Sequence, residues 1–324
     1  MATRRSDVTA PPRFDVLTAG EALVLLAARE HGALEDVAEF VRYSAGAELN
    51  VATGLARLGL RVGYLSRLGD DAFGRFLAGV LAREGLATDL VAVDPARSTG
   101  FMLKSRADDG GDPAIDYYRR QSAASAMDAR DLARVGPRDA RHVHLTGITP
   151  ALSAGCRELA QALLVQARAW GARVSFDPNL RRRLWATSEE MVATVNAFAF
   201  LSDVVLPGLA EGRILTGCER AQDIADFYLE RGAGAVVVKL GADGAWCADS
   251  SGLRAEVPGI AVAQVVDTVG AGDGFAVGLI SGLLEGLSLT RAARRGNVIG
   301  ARVVQFPGDS DGLPTATELA VLGD

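Results

Sequence analysis

Lysine is almost absent from this 324-residue sequence, although the sequence contains 34 basic residues. Only Lys104 and Lys239 are lysines, and neither follows a glycine, which excludes the P-loop and its Gly-Lys pair. The dinucleotide-binding pattern GxGxxG is missing too, because Phe275 occupies the last position of the pattern that would start at Gly270. Both of these nucleotide-binding loops are therefore excluded, and a nucleotide site would need another kind of turn.

The sequence also has few cysteines and no long apolar run. Its three cysteines, Cys156, Cys218 and Cys247, are far apart, so neither a disulfide framework nor a CxxC metal site is indicated. No apolar run approaches the roughly 20 residues of a membrane span, and no apolar segment follows the arginines of the first 12 residues. We therefore expect a cytoplasmic protein without a signal peptide, with residues 1–12 as a disordered tail.

Charge of either sign is not concentrated in blocks. The formal net charge is −6 and spread along the chain, which argues against a nucleic-acid or anionic-membrane partner. Apolar residues make up 49% and charged residues 23%, as in ordinary globular proteins. Short apolar strands alternate with helical patterns along most of the chain, which predicts an α/β fold with a parallel sheet covered by helices on both faces.

The stretch 267–275 reads DTVGAGDGF and continues into apolar residues at helical spacing. Its glycines therefore lie where a loop becomes the first turn of a helix. The free N–H groups of Gly270, Ala271 and Gly272 can bind an anion there, and Asp273 can accept a proton from an alcohol. The alternative is a tightly packed turn in which Asp273 only interacts favourably with the helix dipole.

The sequence DTVGAGD resembles the C-terminal signature of the ribokinase-like sugar kinases, also called the PfkB family. The turn AGAELN, followed by a helix that ends in ARLG, resembles the N-terminal signature of that family. The resemblance implies that Asp273 is the catalytic base and residues 270–272 are the anion hole. It also implies that Gly46 and Ala47 pack against the sugar and Asn50 binds a hydroxyl, whereas the residues alone also allow Asn50 to be a helix N-cap.

The resemblance covers about residues 14–314 and implies a ribokinase-like three-layer α/β/α fold with a mostly parallel central sheet and a small β-sheet lid. The kinase domain then covers residues 13–324, with the lid inserted from approximately 28–45 and 94–122. Short strands and turns in the second range independently predict a hairpin there. In the family this sheet covers the sugar and is often a dimer interface, so we expect a homo-oligomer formed through the lid.

Two motifs that contain arginine indicate the substrate class. The run YYRRQSAAS resembles a run found in 2-keto-3-deoxygluconate kinases, and DPNLRRRLW resembles the DxNxRxxLW of the family. A guanidinium group can bind a carboxylate through two hydrogen bonds, which a neutral sugar would not need. The resemblance thus implies a sugar acid bound by Tyr117, Arg119, Asp177 and Arg181, although aromatic packing in a lid and a solvated arginine would also fit the first run.

Further runs resemble the nucleotide side of these kinases. The sequence VVVKLGADG resembles a VKLGxxG run that borders the nucleotide in the family, which implies that Lys239, Gly241 and Gly244 bind the nucleotide together with Gly270 and Gly272. Asn297 is expected on the adenine side.

The expected ions are Mg²⁺, brought with ATP, and a monovalent cation, K⁺, near the Asp267 loop. Many relatives have NxxE where this chain has Gly208 and Glu211, and in them the glutamate organises Mg²⁺ and its waters. Because this chain has glycine in place of that asparagine, the resemblance leaves part of the metal-phosphate contact open. The pair His142 and His144 lacks a third metal ligand nearby in sequence, so we expect structural roles for both.

The predicted reaction is transfer of the γ-phosphoryl group of ATP to the 6-hydroxyl of 2-keto-3-deoxygluconate. Alternatives within the family are a fructose or ribose kinase, or a kinase of 5-keto-2-deoxygluconate or of a galactonate-derived acid. Two other classes are a sugar-binding regulator on a degenerate kinase fold, which would have lost Asp273 or the anion hole, and a NAD-dependent oxidoreductase, which would need the missing dinucleotide pattern.

Overall fold

The computed structural model of the protein describes residues 11–106, 113–136 and 138–323. The predicted disordered tail, apart from residues 11 and 12, therefore lies outside the described residues, as does the predicted hairpin turn at 108–113, apart from Pro113. None of the helices in these ranges is long and apolar enough to cross a membrane.

Strands and helices alternate through most of the described chain. The strands are β1 (Phe14–Ala19), β2 (Leu23–Ala28), β3 (Phe40–Ala45), β4 (Val62–Gly69), β5 (Val91–Asp94), β6 (Phe101–Lys104), β7 (Ile115–Tyr118), β8 (Ala140–Thr146), β9 (Arg173–Asp177), β10 (Val204–Val205), β11 (Ala235–Lys239), β12 (Gly244–Asp249) and β13 (Arg254–Pro258). The α-helices are α1 (Ala47–Arg57), α2 (Ala72–Arg83), α3 (Thr149–Leu152), α4 (Ala154–Trp170), α5 (Ser188–Phe200), α6 (Leu209–Thr216), α7 (Ala221–Leu229), α8 (Ala271–Leu284), α9 (Leu289–Val303) and α10 (Ala316–Leu322).

The central sheet has nine strands among the described residues, in the order β13-β12-β11-β10-β9-β8-β1-β4-β5. The strands from β11 to β5 pair in parallel, and β12 and β13 add an antiparallel edge. Buried apolar residues from α4, α5 and α7 cover one face. Those from α1, α2, α8 and α9 pack with alternate residues of the same strands, such as Val16 beside Leu17 and Val204 beside Val205, and so cover the other face. The predicted three-layer α/β/α architecture is confirmed.

Local chemistry explains where the helices begin and end. Helix α4 begins after Ser153, whose side chain accepts a hydrogen bond from the N–H of Cys156, and ends at Gly171 in the left-handed conformation. His142 and His144 on β8 are both buried and contact the hydroxyl of Ser175, which agrees with structural roles.

A second, small sheet lies beside the first, with four described strands in the order β3-β2-β6-β7. Strands β2 and β6 pair in parallel, and the other two pairings are antiparallel. The first strand of this sheet in chain order is β2, Leu23–Ala28. It begins before residue 28, where the sequence places the start of the lid. The reason is that only three residues separate β1 from β2, so the sequence reads as one interrupted strand although the chain changes sheets there.

Candidate active site

The turn before α8 has a backbone shape that glycine favours. Gly270 caps the helix with φ of 85°, and a Cβ atom placed on it would lie 2.4 Å from the carbonyl oxygen of Asp309. The first N–H groups of α8 have no partner within the helix, and the helix dipole adds positive potential at this end. The turn can therefore hold an anion beside Asp273, as the sequence predicts.

Asp273 lies in the first turn of α8 and is buried. Its carboxylate accepts a hydrogen bond from Asn50 Nδ2 at 2.8 Å and one from Asn179 Nδ2 at 3.4 Å. Burial raises the pKa of Asp273 to about 7, against the hydrogen bond from Asn50, which lowers it. A carboxylate with this pKa can both take and release a proton near neutral pH.

Asn50 reaches this carboxylate from inside α1. The helix begins at Ala47 with Gly46 as its N-cap, and the N–H of Asn50 bonds to the Gly46 carbonyl at 2.7 Å. The alternative that Asn50 is the N-cap is therefore wrong, and its side chain is free to bond to Asp273. Gly46 has φ of 130°, and a Cβ atom there would lie 2.3 Å from the carbonyl oxygen of Glu21.

A cavity of about 490 Å³ opens in front of Asp273. Most of the residues that the sequence predicts for the site line it, namely Gly46, Ala47, Asn50, Tyr117, Arg119, Arg181, Glu211, Lys239, Gly270, Gly272 and Asp273. The cavity thus joins the two signature turns, which are more than 200 residues apart in sequence, with the small sheet. An adjoining cavity of about 1030 Å³ shares Tyr117, Arg119 and Arg181 with it.

Arg119 is bound to an internal carboxylate that sequence reasoning missed. Its Nε and Nη2 atoms lie 2.6 and 2.5 Å from Glu21 Oε2, and Ser122 donates a hydrogen bond to the other oxygen of Glu21. Both Arg119 and Glu21 are buried, so the pair is nearly neutral as a unit. Glu21 lies directly after Gly20, just past the end of β1, and this position is the one sequence signal that could have identified it.

Arg181 differs from Arg119 in its charge balance. Its Nη1 donates to the backbone carbonyl of Leu180 at 3.1 Å, and within the described ranges no carboxylate forms an ion pair with it. The side chain is half-buried and lines the cavity, whereas the neighbouring Arg182 and Arg183 are exposed. The site therefore contains a guanidinium group that forms no ion pair among the described residues, although its charge lowers the pKa of Asp273 and of Asp309.

Asp177 does not line the cavity, unlike the other residues predicted for the substrate. It is buried at the end of β9 and accepts a hydrogen bond from Lys239 Nζ at 2.5 Å. Burial alone would lower the pKa of Lys239, but Asp177 and Glu211 raise it above its usual value. Lys239 Nζ also lies 3.5 Å from the position of a Cβ atom on Gly272, so a buried ammonium group borders the anion turn.

Three residues predicted for the nucleotide lie apart from the cavity lining. Gly241 and Gly244 form the turn between β11 and β12, and a Cβ atom on Gly244 would lie 2.1 Å from the carbonyl oxygen of Val257. Asn297 Nδ2 donates to the carbonyl groups of Val257 and Pro258 at 3.3 and 2.9 Å. Gly244 and Asn297 therefore meet at the end of β13, at the antiparallel edge of the large sheet.

Glu211 contacts backbone groups with both of its oxygens. It accepts hydrogen bonds from the N–H of Leu180 at 2.7 Å and from the N–H of Gly208 at 2.8 Å. In the described part of the chain, no group of three or more histidines, cysteines, aspartates and glutamates could hold a metal ion. A metal at this site would need ligands from a nucleotide or from water.

Comparisons with known proteins point to one family over almost the whole chain. The sequence profile of the pfkB family carbohydrate kinases matches residues 13–316. The 2-dehydro-3-deoxygluconokinase of Bacillus subtilis strain 168 is 46% identical over 311 residues, which are 95% of this chain and 95% of that one. The crystal structure of a PfkB protein from Polaromonas sp. JS666 has a TM-score of 0.87 at 47% identity, covering 95% of this chain and 99% of its own.

A more distant structure has a nucleotide bound. An uncharacterized sugar kinase from Pyrococcus horikoshii, solved in complex with ATP, has a TM-score of 0.81 at 27% identity, covering 94% of this chain and 96% of its own. These similarities extend over almost the whole chain, and the residues matched by the family profile include every site residue described above.

Proposed function

The chain belongs to the PfkB family of carbohydrate kinases, and we propose that it transfers the γ-phosphoryl group of ATP to the 6-hydroxyl of 2-keto-3-deoxygluconate. This sugar acid is the 2-dehydro-3-deoxygluconate in the name of the relative that is 46% identical. The observation that carries the proposal is Arg181, a guanidinium group without a carboxylate partner among the described residues, in the same cavity as Asp273.

The substrate carboxylate is assigned to Arg181 first because a bound anion would restore charge balance there. An ion pair with a carboxylate is strongest where the guanidinium is partly shielded from water and not already paired. Arg119 contributes through the N–H groups that it does not use on Glu21, and Tyr117, whose ring lies 5.5 Å from the Arg119 guanidinium carbon, closes the same side. A neutral sugar would leave Arg181 without an ion pair.

Catalysis in this proposal consists of proton removal and stabilisation of charge. Asp273 takes the proton of the 6-hydroxyl, which then attacks the γ-phosphorus of ATP in line while the ADP oxygen leaves. The N–H groups of residues 270–272 stabilise the charge on the transferred phosphoryl group, and Lys239 beside Gly272 adds a positive charge. Asn50 orients the carboxylate through its 2.8 Å hydrogen bond.

Magnesium fits this site as an ion carried by the nucleotide. Mg²⁺ retains several waters and is bound mainly through substrate phosphates in kinases, so a cage of protein ligands is not needed. Glu211 would contact its waters with lone pairs that remain beside the two backbone hydrogen bonds. The bound ion would neutralise charge on the β- and γ-phosphates.

The small sheet is proposed to act as a lid that keeps water from the phosphoryl group. Strand β7 carries Tyr117 and Arg119 follows it directly, so movement of this sheet would couple sugar binding to closure. The outer surface of β7 exposes Tyr118, and we retain the small sheet as the proposed contact surface of a homo-oligomer.

The proposal is tested by kcat/KM for 2-keto-3-deoxygluconate, 5-keto-2-deoxygluconate, fructose and ribose with wild type, Arg181→Ala and Arg182→Ala. Arg182→Ala removes the same charge from an exposed neighbour and is the matched control. We expect 2-keto-3-deoxygluconate to be preferred, and Arg181→Ala to lower its kcat/KM by about 10- to 100-fold, because a hydrogen bond to a charged group contributes about 1.5–3 kcal/mol.

Two results would decide against this substrate. Preference for fructose or ribose, with Arg181→Ala and Arg182→Ala equally active, would establish the neutral-sugar kinase as the better description. Preference for 5-keto-2-deoxygluconate with the same loss in Arg181→Ala would retain the carboxylate assignment and change only the acid.

A further inference from the structure

A buried ammonium group lies behind the anion-hole turn. Lys104, the last residue of β6 in the small sheet, has an exposed fraction of 3%. Its Nζ donates to Asp267 Oδ2 at 2.5 Å, to Asp309 Oδ1 at 3.0 Å and to the carbonyl oxygen of Pro307 at 3.2 Å. The mechanism above does not use this cluster.

The residues held by Lys104 border the anion-hole turn on both sides. Asp267 accepts a hydrogen bond from the N–H of Val269 at 3.0 Å, which shapes the loop immediately before Gly270. The carbonyl group of Asp309 packs against Gly270 so closely that a Cβ atom would lie 2.4 Å from it. A cation between Asp267 and Asp309 therefore sets the position of the turn.

The charge balance of the cluster requires a cation. Burial alone would lower the pKa of Lys104, but Asp309 and Asp267 raise it above its usual value, so the side chain is charged. Two carboxylates and a carbonyl oxygen form a donor set that would suit a small hard cation. The monovalent cation expected near the Asp267 loop does not fit here, because the ammonium group of Lys104 already occupies these oxygens.

We propose that Lys104 is a built-in cation that positions the anion-hole turn, so that this kinase needs no added monovalent cation. Lys104 is thus a positioning residue, and the inference rests on the proposed kinase function. It also connects the small sheet to the catalytic turn, because the backbone of Lys104 is part of β6 and its ammonium group binds the loop at Asp267.

The first measurement compares wild type in KCl and in tetramethylammonium chloride at equal ionic strength, by kcat/KM and by thermal midpoint. Between the two salts, kcat/KM is expected to agree within about 2-fold and the thermal midpoint within about 1 °C. The reason is that Lys104 already neutralises the oxygens of the cluster. Activation by K⁺ of about 5-fold or more, or a thermal midpoint that is higher in KCl than in tetramethylammonium chloride, would overturn the proposal.

The second measurement uses Lys104→Ala, with Lys104→Arg as the charge-retaining variant and Arg106→Met as a control at an exposed basic residue two positions away. Lys104→Ala is expected to lower kcat by about 10-fold or more, with KM for the sugar less affected, since donors aimed at the transition state act mainly on kcat. Added K⁺, NH₄⁺ or methylammonium should raise the kcat of Lys104→Ala by at least about 3-fold, because the cation would bind where the ammonium group of Lys104 was. Arg106→Met should behave like wild type.

The outcomes separate this inference from the proposed substrate. If Lys104→Ala loses thermal stability but keeps kcat, or if no cation restores its kcat, Lys104 is only a structural tie and the proposal is wrong. If wild type does not phosphorylate 2-keto-3-deoxygluconate, the substrate proposal fails, while the ion dependence of the thermal midpoint still decides the role of Lys104. The wild-type comparison stands even if Lys104→Ala does not fold.

Discussion

The pKa of Asp273 connects the burial of one residue to the pH range in which the enzyme works. Burial raises this pKa to about 7, and the hydrogen bond from Asn50 opposes the shift. Only the ionised carboxylate can accept the proton of the substrate hydroxyl, so the fraction of competent enzyme should follow this ionisation.

We therefore expect kcat/KM to rise about tenfold per pH unit below pH 7 and to level off above it. Measuring kcat/KM from about pH 5 to about pH 9 tests this. Asn50→Leu removes the hydrogen bond that favours the ionised form, so its profile should shift to higher pH. A wild-type profile that is flat from pH 5 upwards would show that Asp273 does not titrate in this range or is not the base.

At the scale of elements, the junction between the 267–269 loop and α8 depends on Gly270. Its φ of 85° is in the left-handed region, and a Cβ atom on it would lie only 2.4 Å from the carbonyl oxygen of Asp309. Gly286, just after the other end of the same helix, also has a positive φ, 84°, but nothing lies within 4 Å of its Cβ position. Comparing the same substitution at the two glycines therefore separates the effect of backbone strain from the effect of steric contact.

Gly270→Ala should lower kcat by about 100-fold, because the turn must shift away from Asp309 and its N–H groups then lose their aim at the phosphoryl group. Gly286→Ala carries the same kind of strain, roughly 1 kcal/mol, and should lower thermal stability with kcat unchanged. Kinetics and thermal melting of both variants test this. Equal kcat values for the two variants would contradict the steric argument.

The elements themselves were largely readable from the sequence. Helix α8 begins at Ala271, where the glycines and the apolar spacing place it, because those signals depend on residues within one or two turns. Helix α1 begins at Ala47, inside the AGAELN run, whereas the sequence places the whole run before the helix. The start of the small sheet was less readable, since three residues between β1 and β2 carry no mark that the chain leaves the large sheet. Strand partners are chosen by packing across the molecule and not by local composition.

At the scale of the whole molecule, the site is arranged at a cost in stability. The pKa of Asp273 is about 7 in the folded protein and near 3.8 when unfolded. Between these values the folded state binds a proton that the unfolded state has lost, so the stability contributed by Asp273 decreases as pH rises from about 4 to 7. Above pH 7 the ionised, buried carboxylate opposes folding.

Asp273→Asn removes this ionisation and should therefore be more stable than wild type at pH 8, by about 1–3 kcal/mol, with a smaller difference at pH 5. Its turnover should fall by about 10²- to 10⁴-fold, the usual effect of losing a general base. Denaturant unfolding at both pH values and steady-state kinetics test the two parts. A variant that is destabilised to the same extent at pH 5 and pH 8 would contradict the argument from burial.

The sequence by itself determined the family, the α/β alternation, the two signature turns and Asp273 as the base candidate. These features depend on short stretches whose backbone shape and chemistry come from adjacent residues, as at Gly270, where a turn into a helix needs a positive φ. The same locality explains why Asn50 could be placed near the sugar only through the resemblance, and not from its own spacing.

Only the tertiary structure decided which charges remain available. Arg119 and Arg181 look equivalent in sequence, but Glu21, 98 positions from Arg119, compensates one and not the other. Likewise Lys104 meets Asp309 across 205 positions, so its place behind the anion hole has no local signal. Such pairs form when distant elements pack and exclude water, because a buried charge must find a partner among whatever side chains the fold brings to it.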